Sequence, residues 1–167
     1  MEKIEMVIKL IGKLKEVKGK KALQKLVFLA RAFGIDTGYI FRFHYYGPFS
    51  DTLASDFEHL IDANVVSKIP ESLASYKIIE DGKTSLPEEI DLKLDELLKY
   101  FGKMSPTDLE IYATAYFVDR DQKYVFNNFD EQDIVGKIKN AKPRFLSEKI
   151  ESVYNQLKDW DLLYKAC

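Results

Sequence analysis

The chain has 167 residues, 46% of them hydrophobic and 31% charged, with a net charge of −2 at neutral pH. That balance excludes disorder, and the length suffices to bury roughly 70% of the unfolded surface without disulfides or metals. The one cysteine, Cys167, excludes an intramolecular disulfide, and the most apolar stretch, Ala22 to Phe33, is too short and too charged to span a membrane.

The charged opening Glu2-Lys3-Ile4-Glu5 has no apolar segment behind it. No signal peptide is expected, and the reading is a cytoplasmic protein. Charge is unevenly spread: residues 1–50 carry ten Lys/Arg against four Asp/Glu, residues 51–100 five against twelve, and residues 101–167 ten against eleven. A basic start therefore precedes an acidic middle.

Glu2 to Val17 has Ile4, Val7, Ile8, Ile11 and Leu14 at helical spacing and lysines elsewhere, which predicts an amphipathic helix ended by Gly19. Lys20 to Phe33 predicts a second, central helix closed by Gly34. Tyr39 to Tyr46 suits a strand, and Gly47-Pro48 marks the corner after it. Ser50 is the expected cap of a third helix reaching about Ala63, with Phe49 stapled to Leu53 or Ala54 and Asn64 closing it. Val65 to Ile69 and Tyr76 to Ile79 read as a two-stranded wing, followed by a turn at Asp81-Gly82. Helices are expected over Glu88 to Phe101, from Ser105-Pro106 to about Val118, over Glu131 to Asn140, and from a Ser147 cap to about Leu163. The sum is one α+β domain over 1–167, mostly α. It has a winged-helix-like N-terminal core with a small β wing (1–85), followed by a packed helical half (86–167).

Several segments look like one family. Residues Lys21-Ala22-Leu23-Gln24-Lys25-Leu26-Val27-Phe28-Leu29 resemble the K-x-L-Q-K-L-V-Y-L signature of the YwgA-like proteins, and Phe43 to Ser50 resembles their F-x-x-Y-G-P-Y-S segment. Tyr76 to Gly82 is similar to Y-x-L-T-x-x-G, with Ile79 departing from the threonine. Leu109 to Ala115 is similar to L-E-L-x-A-T-I, and Lys142-Pro143-Arg144-Phe145 to K-P-x-F. Order and spacing hold from about residue 20 to residue 157. The first two pieces also resemble, more distantly, the Panacea (SocA-type) antitoxin domain. The resemblance implies a mostly helical, winged-helix-like fold, and its distant branch implies a toxin-neutralising or adaptor role.

No Gly-x-Ser-x-Gly, no phosphate-binding glycine motif and no supported Cys–His pair occurs, so no enzyme activity and no cofactor is expected. His44 and His59 lack the spacing of a metal site, and His44 is read as a hydrogen-bonded packing residue. Asp119 and Asp121 around Arg120 are read as an exposed ion-pair cluster. The third helix carries Asp51, Asp56, Glu58 and Asp62 and no Lys or Arg, which is wrong for a helix that enters a groove lined with phosphates. The expected function is therefore a non-enzymatic regulatory or adaptor module that binds a protein partner, antitoxin-like on the distant resemblance. Its surface would be Tyr45, Tyr46 and Phe49 together with Asp56 and Glu58. Alternate aromatic spacing favours rings that fill the core, and a contact surface is the other use of the same residues. The alternative function is a nucleic-acid-binding regulator that uses Lys13, Lys15, Lys18, Lys20 and Lys21 without sequence specificity. The high aromatic content is also compatible with a homo-oligomer.

Overall fold

The computed structural model describes residues 3–72, 75–79 and 85–166. The chain is mostly helical, with two small antiparallel hairpins, as expected for an α+β protein dominated by helix. It resolves into two compact units, Met1–Leu109 and Glu110–Cys167.

In the first unit, α1 (Lys3–Leu14) buries Met6, Val7, Leu10 and Ile11, the stripe that its periodicity predicts. It stops earlier than Val17, because Lys15 turns into the left-handed region and Val17 bridges to Tyr76. Helix α2 (Lys20–Leu29) is buried from Ala22 to Leu29 and tightens into a 3-10 turn, Ala30–Phe33. Gly34 ends that turn at φ 76, a conformation that a side chain would strain.

Strand β1 (Arg42–His44) is shorter than the stretch read from the sequence, and it pairs with β2 (Gly47–Phe49). The turn is therefore Tyr45-Tyr46, and Gly47-Pro48 is ladder rather than corner. The register explains this. His44 lies opposite Gly47 and Phe43 opposite Pro48. If His44–Gly47 closes the two-residue loop as a hydrogen-bonded pair, Phe43–Pro48 falls at the alternate position, where the missing proline N–H costs nothing.

Helix α3 (Asp51–Asp62) starts as predicted, with the Ser50 hydroxyl accepting from the Leu53 N–H at 3.3 Å. Asn64, at φ 58, follows its end. Strands β3 (Val66–Lys68) and β4 (Tyr76–Ile78) form the second hairpin. Val17 and Tyr76 exchange both backbone hydrogen bonds at 2.9 Å, so the α1–α2 connection adds a short third edge to this hairpin. The turn expected at Asp81-Gly82 lies outside the described residues. Helix α4 (Glu88–Phe101) completes the unit, burying Leu94, Leu97 and Phe101.

The feature that ties α2 to the entry of α3 is polar and buried. Gln24 donates from Nε2 to the Ser50 carbonyl at 2.9 Å and accepts the Ser50 N–H at 2.9 Å. Lys25, 1% exposed, donates its ammonium to the Pro48 carbonyl at 2.7 Å. Two adjacent side chains of α2 therefore hold the backbone that leaves β2 and caps α3.

Helix α5 (Pro106–Arg120) begins with Ser105 accepting the Asp108 N–H at 3.1 Å, the cap that its sequence announces. The boundary between the two units falls inside it. It does not end near Val118 but runs on into a π-helical turn, Asp121–Val125. In the second unit α6 (Glu131–Ala141) and α7 (Ser147–Asp159) bury Ile134, Ile138, Ile150, Val153 and Leu157. Asp130 caps α6 by accepting from Gln132 and Asp133. Ser147 does not cap α7: Leu146 holds that position, Ser147 is already helical, and the helix stops at Asp159 rather than near Leu163. Among the described residues no helix is long and apolar enough to cross a membrane.

Asp119 is not part of an exposed ion-pair cluster. It is 0% exposed, accepts from the Tyr154 hydroxyl at 2.6 Å and the Tyr164 N–H at 3.0 Å, and pairs with Lys123 at 2.9 Å. Burial, and then the bond to Asp119, pushes the Tyr154 phenol far up. Burial and Asp56 do the same to Tyr39.

Two predictions follow from these contacts. Gln24→Leu should lower unfolding free energy by about 2–5 kcal/mol, since it orphans a buried donor and a buried acceptor. Lys25→Met should cost less, because it also removes a buried charge; urea midpoints of the two variants give the order. In alkaline titration, Tyr39 and Tyr154 should keep their protons after exposed tyrosines have ionised. Their native pKa values are raised, so the unfolded chain loses these protons first. Stability is then whole below about pH 10 and falls above it by about 1.4 kcal/mol per pH unit for each of the two. Phenolate absorbance that tracks unfolding for two of the ten tyrosines is the expected readout.

Candidate functional site

Where α2, the β1–β2 hairpin and α3 meet, they enclose a cavity of about 350 Å³. Its floor and walls are Leu23, Leu53, Ala54 and Phe57 with the rings of His44, Tyr46 and Phe49. Phe49, Leu53 and Ala54, expected to staple the start of α3, thus line one cavity. Lys20 and Glu58 form an ion pair among its lining residues, and both side chains are about half exposed. The Lys21 ammonium lies 5.0 Å from the Tyr46 ring centroid. His44 stands 5.2 Å from Phe49 and 6.3 Å from Tyr46, centroid to centroid. Its Nδ1 is buried with no hydrogen-bond partner among the described residues. The cavity lies in the size range of small-ligand pockets and is mainly apolar, with a few polar groups around it.

Beside this cavity the hairpin presents its rings outward. Tyr45 is 76% exposed and Tyr46 47%, packed edge to face at 4.9 Å, with Phe43 at 40% on the same hairpin. Phe49 is half-buried on the cavity side. The core-filling use of Tyr45 and Tyr46, favoured by their spacing, is not what the fold adopts. A two-residue turn at Tyr45-Tyr46 turns the Tyr45 ring to solvent and leaves the Tyr46 ring half exposed at the cavity.

The acidic residues of α3 divide. Asp56 accepts from the Tyr39 hydroxyl at 2.7 Å and is only partly exposed, so it serves the fold. Glu58 is at the cavity with Lys20. Asp51 is gripped by both Arg42 nitrogens at 3.2 Å, and this bond holds its carboxyl below the usual carboxylate range. The lysines divide as well. Lys13 faces Asp95 at 2.6 Å and Asp91 at 3.1 Å, and Lys25 is buried. Lys15 and Lys18 are exposed in the connection before α2. Of the expected lysine face, Lys13 and Lys20 are thus paired with carboxylates.

Three residues that sequence reasoning did not assign to the site shape it: Gln24, Lys25 and His44. The signal for the first two was available. Polar side chains inside a helix that is otherwise apolar all round must find buried partners. Among the described residues no three His, Cys, Asp or Glu side chains converge as metal ligands.

No family model matches the chain, and no solved structure matches it. Over 112 residues, which take in 62% of this chain and 67% of the other, it is 25% identical to the uncharacterized protein YwgA of Bacillus subtilis (strain 168).

Proposed function

We propose that this chain is a non-enzymatic regulatory or adaptor module that binds a protein partner through the β1–β2 hairpin tip and the cavity beside it. The observation that carries this reading is the pair of exposed rings, Tyr45 and Tyr46, on a turn whose base is anchored to α2. Tyrosine adds contact area at small entropic cost, and an anchored turn loses little further freedom on binding. Glu58 borders this surface, and a basic group on the partner would complement it.

The order of α1, α2, α3 and the second hairpin, with Val17 bridging to Tyr76, supports reading the first unit as winged-helix-like. Nucleic-acid binding draws less support. Helix α3 carries no cation, and Lys13 and Lys20 face carboxylates. A toxin-neutralising role rests on the distant resemblance alone.

The test is affinity capture from native extract with wild type and with Tyr45→Ser/Tyr46→Ser, followed by affinity measurement on the purified partner. Loss of two exposed hot-spot rings should weaken binding by at least about 30-fold, or 2 kcal/mol, with an unchanged melting temperature. Asp56→Lys is unsuited to the purpose because it breaks the Tyr39 contact, whereas Glu58→Gln removes the border charge at the loss of only a half-exposed ion pair with Lys20. Wild-type affinity in the double tyrosine variant would refute the assigned surface.

A further inference from the structure

We infer that the end of α5 carries a recognition site for a peptide segment bearing an aromatic side chain, and that the chain's own C-terminal segment fills it through Tyr164 as a releasable latch. Asp119, Arg120, Lys123 and Tyr124 build the site, all within the second unit and independent of the hairpin reading. Residues 119 and 123 stand four apart, as do 120 and 124, so α5 and its π-helical continuation display two adjacent rows. Such π-helical turns are rare and recur at functional sites.

The inner row is polar and reads the backbone. The Asp119 carboxylate accepts the Tyr164 N–H at 3.0 Å, and the Lys123 ammonium donates to the Tyr164 carbonyl at 3.4 Å. One residue, in a segment that belongs to no helix or strand, thus has its donor and its acceptor both met by side chains. The outer row reads the side chain. The Arg120 guanidinium lies 5.6 Å from the Tyr164 ring centroid and 5.6 Å from that of Tyr124, and the two rings meet edge to face at 5.8 Å. None of these contacts is particular to a ligand in the same chain. A backbone N–H, a carbonyl and a π-face are what any peptide with an aromatic residue presents.

Release follows from what stays behind. Asp119 keeps Lys123 at 2.9 Å and the Tyr154 hydroxyl at 2.6 Å when Tyr164 leaves, so its charge is not stranded and the site keeps its shape. The Leu162 N–H still closes α7 on the Leu157 carbonyl; past it, among the described residues, the polar ties of the segment to the rest of the unit are those of Tyr164. Lys165 pairs with Asp161 of the segment itself, and Lys165 and Ala166 are exposed. Asp161, at φ 61, makes the turn into the segment in a left-handed conformation that a non-glycine residue holds at a cost, which eases opening. The Tyr124 ring is 65% exposed with the latch in place, so the aromatic face of the site already reaches the surface.

The experiment is an amide NMR titration of the full chain carrying Tyr164→Ala, which empties the ring position. The probes are an end-capped hexapeptide of the sequence 161–166 and the same hexapeptide with alanine in place of its tyrosine. The tyrosine hexapeptide should saturate the variant, with shifts centred on Arg120 to Tyr124, about tenfold more tightly than the alanine hexapeptide, the worth of the ring contacts. It should bind wild type at least about tenfold more weakly than the variant, because there the latch competes in cis. In wild-type hydrogen exchange the Tyr164 amide should exchange at least about tenfold faster than those of Val153 and Tyr154 within α7, since it opens without global unfolding. No saturable binding to the variant, equal affinity of the two hexapeptides, equal affinity for wild type and variant, or a Tyr164 amide protected as long as those of α7 would each overturn the assignment. Should the variant lose its dispersed spectrum, the exchange comparison and the titration of wild type with both hexapeptides decide.

Discussion

A carboxamide and an ammonium buried side by side in α2 organise the first unit. Gln24 completes both backbone groups of Ser50, and Lys25 takes the Pro48 carbonyl. Burying these groups is expensive unless every polar atom finds a partner, so the segment 48–50 has one low-energy position. Much else follows from that position. Ser50 is placed to cap α3, β2 is held against α2, and the hairpin above it must project its turn away from the body. The exposed tyrosines are thus a consequence of buried polar chemistry beneath them rather than of loose surface structure.

The same logic recurs in the second unit. Glu110 is 0% exposed and pairs with Lys142 at 3.5 Å and with Arg144. Asp119 gathers Tyr154, Lys123 and the Tyr164 N–H. Buried carboxylates of this kind add little net stability over an apolar core, but removing one partner leaves a charge stranded. They favour a single arrangement of α5, α6 and α7. Notably, the segments that resemble the YwgA-like proteins meet in space. Residues 21–29 meet residues 43–50 through Gln24 and Lys25, and residues 109–115 meet residues 142–145 through Glu110.

Part of the surface charge is paired within the molecule. The basic beginning and acidic middle of the chain suggest a dipolar protein, yet much of that opposition is consumed in pairs. Lys13 sits against Asp91 and Asp95 of α4, Lys20 against Glu58, and Arg42 against Asp51. Exposed pairs of this sort contribute little to stability. Their effect is on recognition, because a neutralised lysine offers a polyanion less. What remains distinctive on the first unit is shape and aromatic area, features that suit a protein partner better than a polyanion.

The amino-acid sequence by itself determined the helices, the second hairpin and most of the helix starts. Periodicity marks the buried stripe of α1, Ser50 and Ser105 announce starts, and Gly34 and Asn64 suit left-handed closures. These are local effects, each settled within about one helical turn of the residue concerned. Only the tertiary structure decided which way Tyr45 and Tyr46 face, that Asp119 is buried, and that Gln24, Lys25 and His44 build a site. Those outcomes join residues far apart in the chain: Gln24 and Ser50 are 26 apart, Tyr154 and Asp119 35, Lys13 and Asp95 82. Hydrophobic spacing reports that a face will be covered and carries no information on what covers it, so polar partners across such separations become legible only once the elements are packed.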